Sequence, residues 1–163
     1  MDARDVMRAS IGRAKMVTDM LLGDFTDAEL LTRPVPGANH VAWQLGHIIV
    51  SLNYFGDTVL PGSMPALPAQ FAEQHAKETA GSDKPADFLT KQAYMNLLDS
   101  QRQAFADLLG KVPVSRLDEA APEEMQSYAA RISDLVTLVA EHEMMHSGQF
   151  SVVRRKLGKP VVF

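Results

Sequence analysis

Apolar positions recur along this chain at helical spacing in four long stretches, and nowhere do they alternate over a useful length as a strand would require. In the first, about residues 3–22, Val6, Ile11, Ala14, Val17 and Leu21 share one helical period that Gly23 ends. The second, about 39–60, opens with Asn39 as the predicted N-cap and is stopped by Pro61-Gly62. The third starts near Pro85, carries Phe88, Tyr94, Leu98, Phe105 and Leu108, and stops at Gly110. The fourth, about 131–157, ends at Gly158 with Pro160 beyond it, an order that closes a helix and prevents its continuation.

The connections differ in length. Residues 24–38 hold a short helical turn at Asp27 to Leu31 and close with Pro34-Val35-Pro36-Gly37. Residues 61–84, with Pro61, Pro65 and Pro68, read as a crossover with one helical turn around Phe71 to Lys77; a connection of that length often shapes the mouth of a site. Residues 111–130 are irregular, with Pro113 and Pro122. Four long amphipathic helices with such links predict an all-α four-helix bundle, one domain over residues 1–163.

Composition narrows the function. The chain has no cysteine, which excludes a disulfide scaffold, a thiolate metal site and a catalytic thiol of its own. A formal charge of -4 gives no basic footprint for nucleic acid. The one dense basic run, Arg154-Arg155-Lys156, falls in the last turn of the fourth helix, where cations meet the helix dipole favourably. Met1 to Asp5 lacks the apolar core of a signal peptide, and the apolar runs are too short to span a bilayer, so a cytoplasmic location without membrane contact is expected.

The chemistry concentrates in His142-Glu143-Met144-Met145-His146, an HExxH pentapeptide on the fourth helix. Histidines four apart lie one turn apart on one face, close enough to share a metal ion. In zinc proteases the Glu of this motif is the general base. Here the extended protease pattern fails, because Gln149 and Val152 stand where Gly and His would be needed. No Asp, Glu or His follows His146, so a further protein ligand must lie upstream.

The upstream histidines are His40, His47 and His75. His47 shares a stripe with Trp43, Val50, Ser51 and Tyr54, and with two histidines on the fourth helix it reads as a ligand. His40 is about 10 Å from His47 along the axis, too far to bind the same ion, and is assigned to the helix start. His75 is assigned to a solvent-exposed connection. On the fourth helix Arg131, Leu135, Leu138, His142, His146, Gln149 and Val153 form a stripe expected to face the core, with the metal inside the bundle. Glu143 points about 80° away, and orienting a histidine, acting as a base, or being a solvated flank are its open roles. Gln149 is either a helix-to-helix hydrogen bonder or a substrate contact.

The combination Asn39-His40-x-x-Trp43-x-x-Gly46-His47, then His142-Glu143-x-x-His146-x-Gly148-Gln149, then Arg154-Arg155-x-Leu157-Gly158-x-Pro160 resembles the DinB/YfiT-like superfamily. The resemblance implies an up-down-down-up bundle with the long crossover between helices two and three. It also implies a divalent metal held by three side chains, which map onto His47, His142 and His146. Some similar proteins are thiol S-transferases using bacillithiol, mycothiol or glutathione. One branch is a mycothiol-dependent isomerase with an extra C-terminal domain, so that activity is not the one expected here.

Three imidazoles with an open coordination position are the pattern of a catalytic rather than a structural zinc site. Zinc is the first expectation; nickel, iron and manganese also suit imidazole. The expected function is transfer of a low-molecular-weight thiol, as co-substrate, to a small electrophilic molecule. The alternatives are metal-dependent hydrolysis at the same site and a non-catalytic metal- or small-molecule-binding bundle. Tyr54 or Glu143 could move protons, and Arg131 and Gln149 are candidate cofactor contacts. Small molecules are the expected partners, with a homodimer as the open alternative to a monomer.

Overall fold

The computed structural model describes residues 3–163; Met1 and Asp2, part of the segment read for a signal peptide, lie outside them. The described residues form α1 (Ala3–Leu22), α2 (Val41–Val59), α3 (Phe71–Gln74), α4 (Lys91–Leu108), α5 (Val114–Leu117) and α6 (Ile132–Lys156). Single 3-10 turns stand at Glu29–Leu31, Lys77–Thr79, Pro85–Asp87 and Glu123–Met125. Among these residues β-pairing is limited to one isolated bridge, Ala120 with Arg131.

Side-chain pairs fix the direction of each long helix. Arg8 bonds the Ala106 carbonyl and Lys15 pairs with Asp99, so α1 and α4 run antiparallel. Thr18 meets Ser147 and Arg154 reaches the Leu21 carbonyl, so α1 and α6 run parallel. Asn53 bonds Gln101 and Tyr94 bonds His75 beneath α2, which makes α2 and α4 parallel. Gln44 meets His146 and Phe55 faces His142, which makes α2 and α6 antiparallel. The bundle is therefore up-down-down-up. Parallel α2 and α4 cannot be joined by a tight turn, and the crossover supplies the length needed to return to the other end.

The core is an unbroken apolar cluster that includes Leu21, Leu45, Ile49, Leu98, Phe105, Leu135 and Phe150. A buried ion-pair network crosses it. Glu143 is 2% exposed and accepts from Arg102 Nε at 3.2 Å, from Arg102 Nη2 and from Thr18 Oγ1 at 2.6 Å. Arg102 Nη1 continues to Asp99 at 2.6 Å, and Lys15 lies 2.7 Å from Asp99 and 2.8 Å from Asp19. A buried carboxylate needs such partners, since removing a charge from water unpaired costs several kcal/mol.

Element boundaries depart from the sequence expectation where a different side chain wins the cap. His40, not Asn39, is the N-cap of α2: its Nδ1 accepts from the Trp43 N–H at 3.1 Å, while the Asn39 carbonyl takes Gln44 Nε2. α4 starts at Lys91 rather than near Pro85, because Thr90 caps it and the Pro85–Asp87 turn stands apart, leaving Phe88 outside the helix and edge-on to the His40 ring. Val6, expected on the inward period of α1, is exposed. The largest departure is His75. It is not solvent-exposed but 1% accessible, with Nδ1–H donating to the Phe71 carbonyl at 2.8 Å and Nε2 accepting from Tyr94 Oη at 2.8 Å. Chain composition marks the crossover as a loop, but α3 turns the ring inward onto α2 and α4. Gly158, in the left-handed region at φ +69°, closes α6 as expected.

Candidate metal centre

α2 and α6 lie side by side, and each offers histidine toward the other. One ligand atom from each of His47, His142 and His146 lies within 4.8 Å of the others. The His142 and His146 Nε2 atoms are 3.2 Å apart, and the His47 ring centre lies 5.1 Å and 5.4 Å from those of His142 and His146. The three expected ligands are thus brought together. The other two histidines are excluded by their bonding as well as by position. His40 uses Nδ1 for the cap and Nε2–H for the Ser82 carbonyl at 3.0 Å, and both nitrogens of His75 are engaged.

The buried face of α6 is rotated from the one expected. Leu135, His146 and Val153 are buried, but Arg131 and Gln149 are exposed and His142 is only half-buried. α6 packs on α1 as well as on α2, so its buried arc is wide and is centred between them, at Glu143. The histidines occupy the flank of that arc. The cluster consequently sits in the wall of the bundle, not inside it, and opens to a groove of about 590 Å³ lined by α2, α6, the crossover and Tyr128. Val50, Ser51 and Tyr54, predicted to share a stripe with His47, line this groove, as do Ala72, Ala76 and Lys77 of the crossover.

The remaining site candidates separate on position. Glu143 faces away from the histidines into the Arg102 ion pair, so it neither orients a histidine nor stands free as a base, nor is it a solvated flank. Tyr54 stands at the groove rim, 48% exposed, its hydroxyl 3.4 Å from Glu124 Oε1. Arg131 is the N-cap of α6, with its guanidinium 3.8 Å from Asp118, and is absent from the groove lining. Gln149 likewise lies outside it.

A residue not singled out beforehand organises the cluster. Gln44 is fully buried; its Nε2 donates to the Asn39 carbonyl at 2.8 Å, which leaves Oε1 to accept from His146 Nδ1–H at 2.8 Å. With its proton on Nδ1, His146 presents a bare lone pair at Nε2, the atom facing His142. The signal in the sequence is an amide within the apolar run Val41 to Leu45, three residues before a ligand histidine and therefore its neighbour on the helix.

Electrostatics keep all three rings neutral. Burial, then the neighbouring His47, lowers the His142 pKa to about 4; burial, then His142 and His47, lowers that of His146 to about 3. His47 is lowered by burial and then by the Lys77 cation. Of the residues lining the groove Lys77 is the one fixed charge, and none is acidic. Uncharged imidazole is the metal-ligating form, so the donor set fits a divalent cation without prior loss of protons at neutral pH.

A sequence profile described as the DinB superfamily matches residues 11–150. The fold is similar to that in a crystal structure titled as a conserved protein from Enterococcus faecalis, with TM-score 0.75 and 20% identity over 98% of this chain and 99% of that one. No curated protein matches this sequence.

Proposed function

Since the chain belongs to the DinB superfamily, we propose that it is a metal-dependent enzyme that transfers a small thiol to an electrophilic substrate. The observation that carries this reading is three neutral imidazoles converging on an open groove in a protein without cysteine. His47, His142 and His146 would hold the ion, zinc first, with nickel, iron or manganese also compatible with imidazole. A bound divalent cation supplies Lewis acidity, lowering the pKa of a coordinated thiol or water.

The chain's own residues would do the rest. Gln44 holds His146 in the tautomer that offers Nε2. Val50, Phe55 and Leu138 give the groove an apolar wall that favours a small molecule with an apolar body. Tyr54 lines the same groove with a hydroxyl that burial and Glu124 keep protonated, and its role in this reading is to donate a proton to a leaving group. Peptide cleavage has little support: Glu143 is held by Arg102, and the described residues offer no strand against which an extended peptide could pair.

Rates measured with and without metal, across several low-molecular-weight thiols with a chromogenic electrophile and against casein and simple esters, test the reading. Metal-dependent turnover that requires the thiol supports it. Thiol-independent ester hydrolysis would replace it with the hydrolase alternative, and metal binding without turnover on any substrate class would make the protein a binding bundle. Peptidase activity abolished by Glu143→Gln would overturn it outright.

A further inference from the structure

Among the described residues neither His47 nor His142 has a hydrogen-bonded support like the one Gln44 gives His146, yet the His47 ring is not left to choose its plane. The Trp43 indole stacks on it, with centroids 5.0 Å apart and planes 7° from parallel. Trp43 is itself held from outside the helix, because its Nε1–H donates to the Ala76 carbonyl at 3.1 Å. Ala76 follows His75, which with Phe71 is buried to 1% exposure within the crossover. The His75 ring lies in a notch on α2 that exists only because residue 46 is glycine; a Cβ there would overlap the ring. Tyr94 on α4 closes the notch through its hydroxyl, and Phe71 packs on the ring at 4.4 Å.

We propose that the Gly46–His75–Tyr94 notch is a latch that, through Ala76 and Trp43, sets the ring orientation of the ligand His47. His75 and Trp43 are positioning residues, and the crossover is part of the metal site without supplying a ligand. The physical logic is that of ligand orientation by outer partners, whose loss typically weakens metal affinity about 10- to 100-fold. Stacking alone leaves the indole free to slide along its own plane; the Ala76 carbonyl removes that freedom, and the His75 latch fixes the carbonyl. The proposal rests on the metal-site reading, but its first consequence is visible without metal.

The test uses the full chain and three variants, Gly46→Ala, His75→Ala and Gly46→Ala/His75→Ala. In metal-free wild-type protein, the His47 ring protons should be shifted upfield by the ring current of the stacked indole, and the Trp43 Nε1–H, from the chain's single tryptophan, should exchange slowly. Gly46→Ala should erase both signatures by expelling His75. The double variant removes the clash and should recover them in part. Cobalt(II) titration should then rank affinity as wild type, double variant, Gly46→Ala, with about a tenfold loss or more at the last and an altered visible spectrum. His75→Ala creates no clash and stays readable if Gly46→Ala does not fold; it should lose several-fold in affinity. Wild-type His47 shifts, indole exchange and cobalt spectrum in His75→Ala would overturn the latch. Absence of cobalt binding by wild-type protein would instead sink the metal reading, and the metal-free signatures would still decide whether the latch orients His47.

Discussion

The two sides of α6 around residue 143 are built by opposite means. On one side His142 and His146 face α2 as neutral rings beside a groove without acidic lining. On the other, one residue along, Glu143 is locked to Arg102 and Thr18 in the centre of the bundle, with Asp99, Lys15 and Asp19 behind. The same HExxH letters therefore serve two regions. The histidines keep lone pairs available at low cost because they stay uncharged. The glutamate is seated in the core against a guanidinium that meets both of its oxygens. What separates them is the width of the buried arc of α6: a helix packed on two neighbours puts the second residue of the motif, not either histidine, deepest.

The sharpest way to break this division is Glu143→Ala. It leaves the Arg102 guanidinium buried without its main partner, and the expected loss is roughly 3–5 kcal/mol of stability. Urea unfolding of the metal-free protein measures it. Under the division, whatever fraction remains folded should still bind metal, since Glu143 touches none of the three rings. Near-wild-type stability with lost metal binding would reverse the assignment and make Glu143 part of the site.

Removing ligands should do the opposite. His142→Ala and His146→Ala should abolish tight metal binding, measured by elemental analysis after dialysis, while the unfolding midpoint of metal-free protein moves much less than in Glu143→Ala. His142 is the cleaner probe, because it is half-buried and removing it leaves Gln44 bonded to His146. His40→Ala should retain full metal content but lose the α2 cap, typically about 1 kcal/mol.

The contrast explains what could be read from the sequence. The four long helices, their order and the three-histidine set follow from helical periodicity, glycine and proline stops, and the spacing of His47, His142 and His146. The helix face did not follow, because hydrophobic periodicity averages over every neighbour and cannot say that α6 is buried by α1 on the Glu143 side. The place of His75 was hidden for a related reason: Pro65 and Pro68 mark a loop, but only the notch at Gly46 gives the ring somewhere to go. Gln44 was not singled out: an amide within the apolar run Val41 to Leu45 was the only signal, and its partner lies 102 residues away.

Acidification should separate the two regions by pH. The histidines have folded-state pKa values below the ordinary value of about 6.5, so between that value and the lowered one the unfolded chain binds more protons. Stability of the metal-free protein should therefore be flat above about pH 7 and fall as pH drops from about 6.5 toward 3, the value to which His146 is lowered. Asp99 runs differently: its carboxyl is held below its usual value despite burial, by Lys15 and Arg102, so its contribution persists until the pH falls below about 4. Urea midpoints should show an upper loss that begins near pH 6.5 and a lower one that joins it below about pH 4. In His142→Ala the upper loss should shrink and the lower should stay; an unchanged upper loss would mean that this ring does not resist protonation in the fold.

The effect most specific to the site comes from Gln44. Gln44→Ala removes the acceptor of His146 Nδ1–H, so the Nε2 lone pair is no longer held by a fixed tautomer, and metal affinity should fall about tenfold. The unpaired groups left behind should cost roughly 1–3 kcal/mol. Gln44→Glu separates the two consequences. Its carboxylate can still accept from His146 and would hold the same tautomer, but it places an oxygen against the Asn39 carbonyl where the amide had donated. The expected result is metal affinity near wild type in a less stable protein, read by chelator competition and urea unfolding on the same samples. Equal affinity losses in Gln44→Ala and Gln44→Glu would mean that Gln44 acts through packing alone and that some other contact fixes the His146 proton.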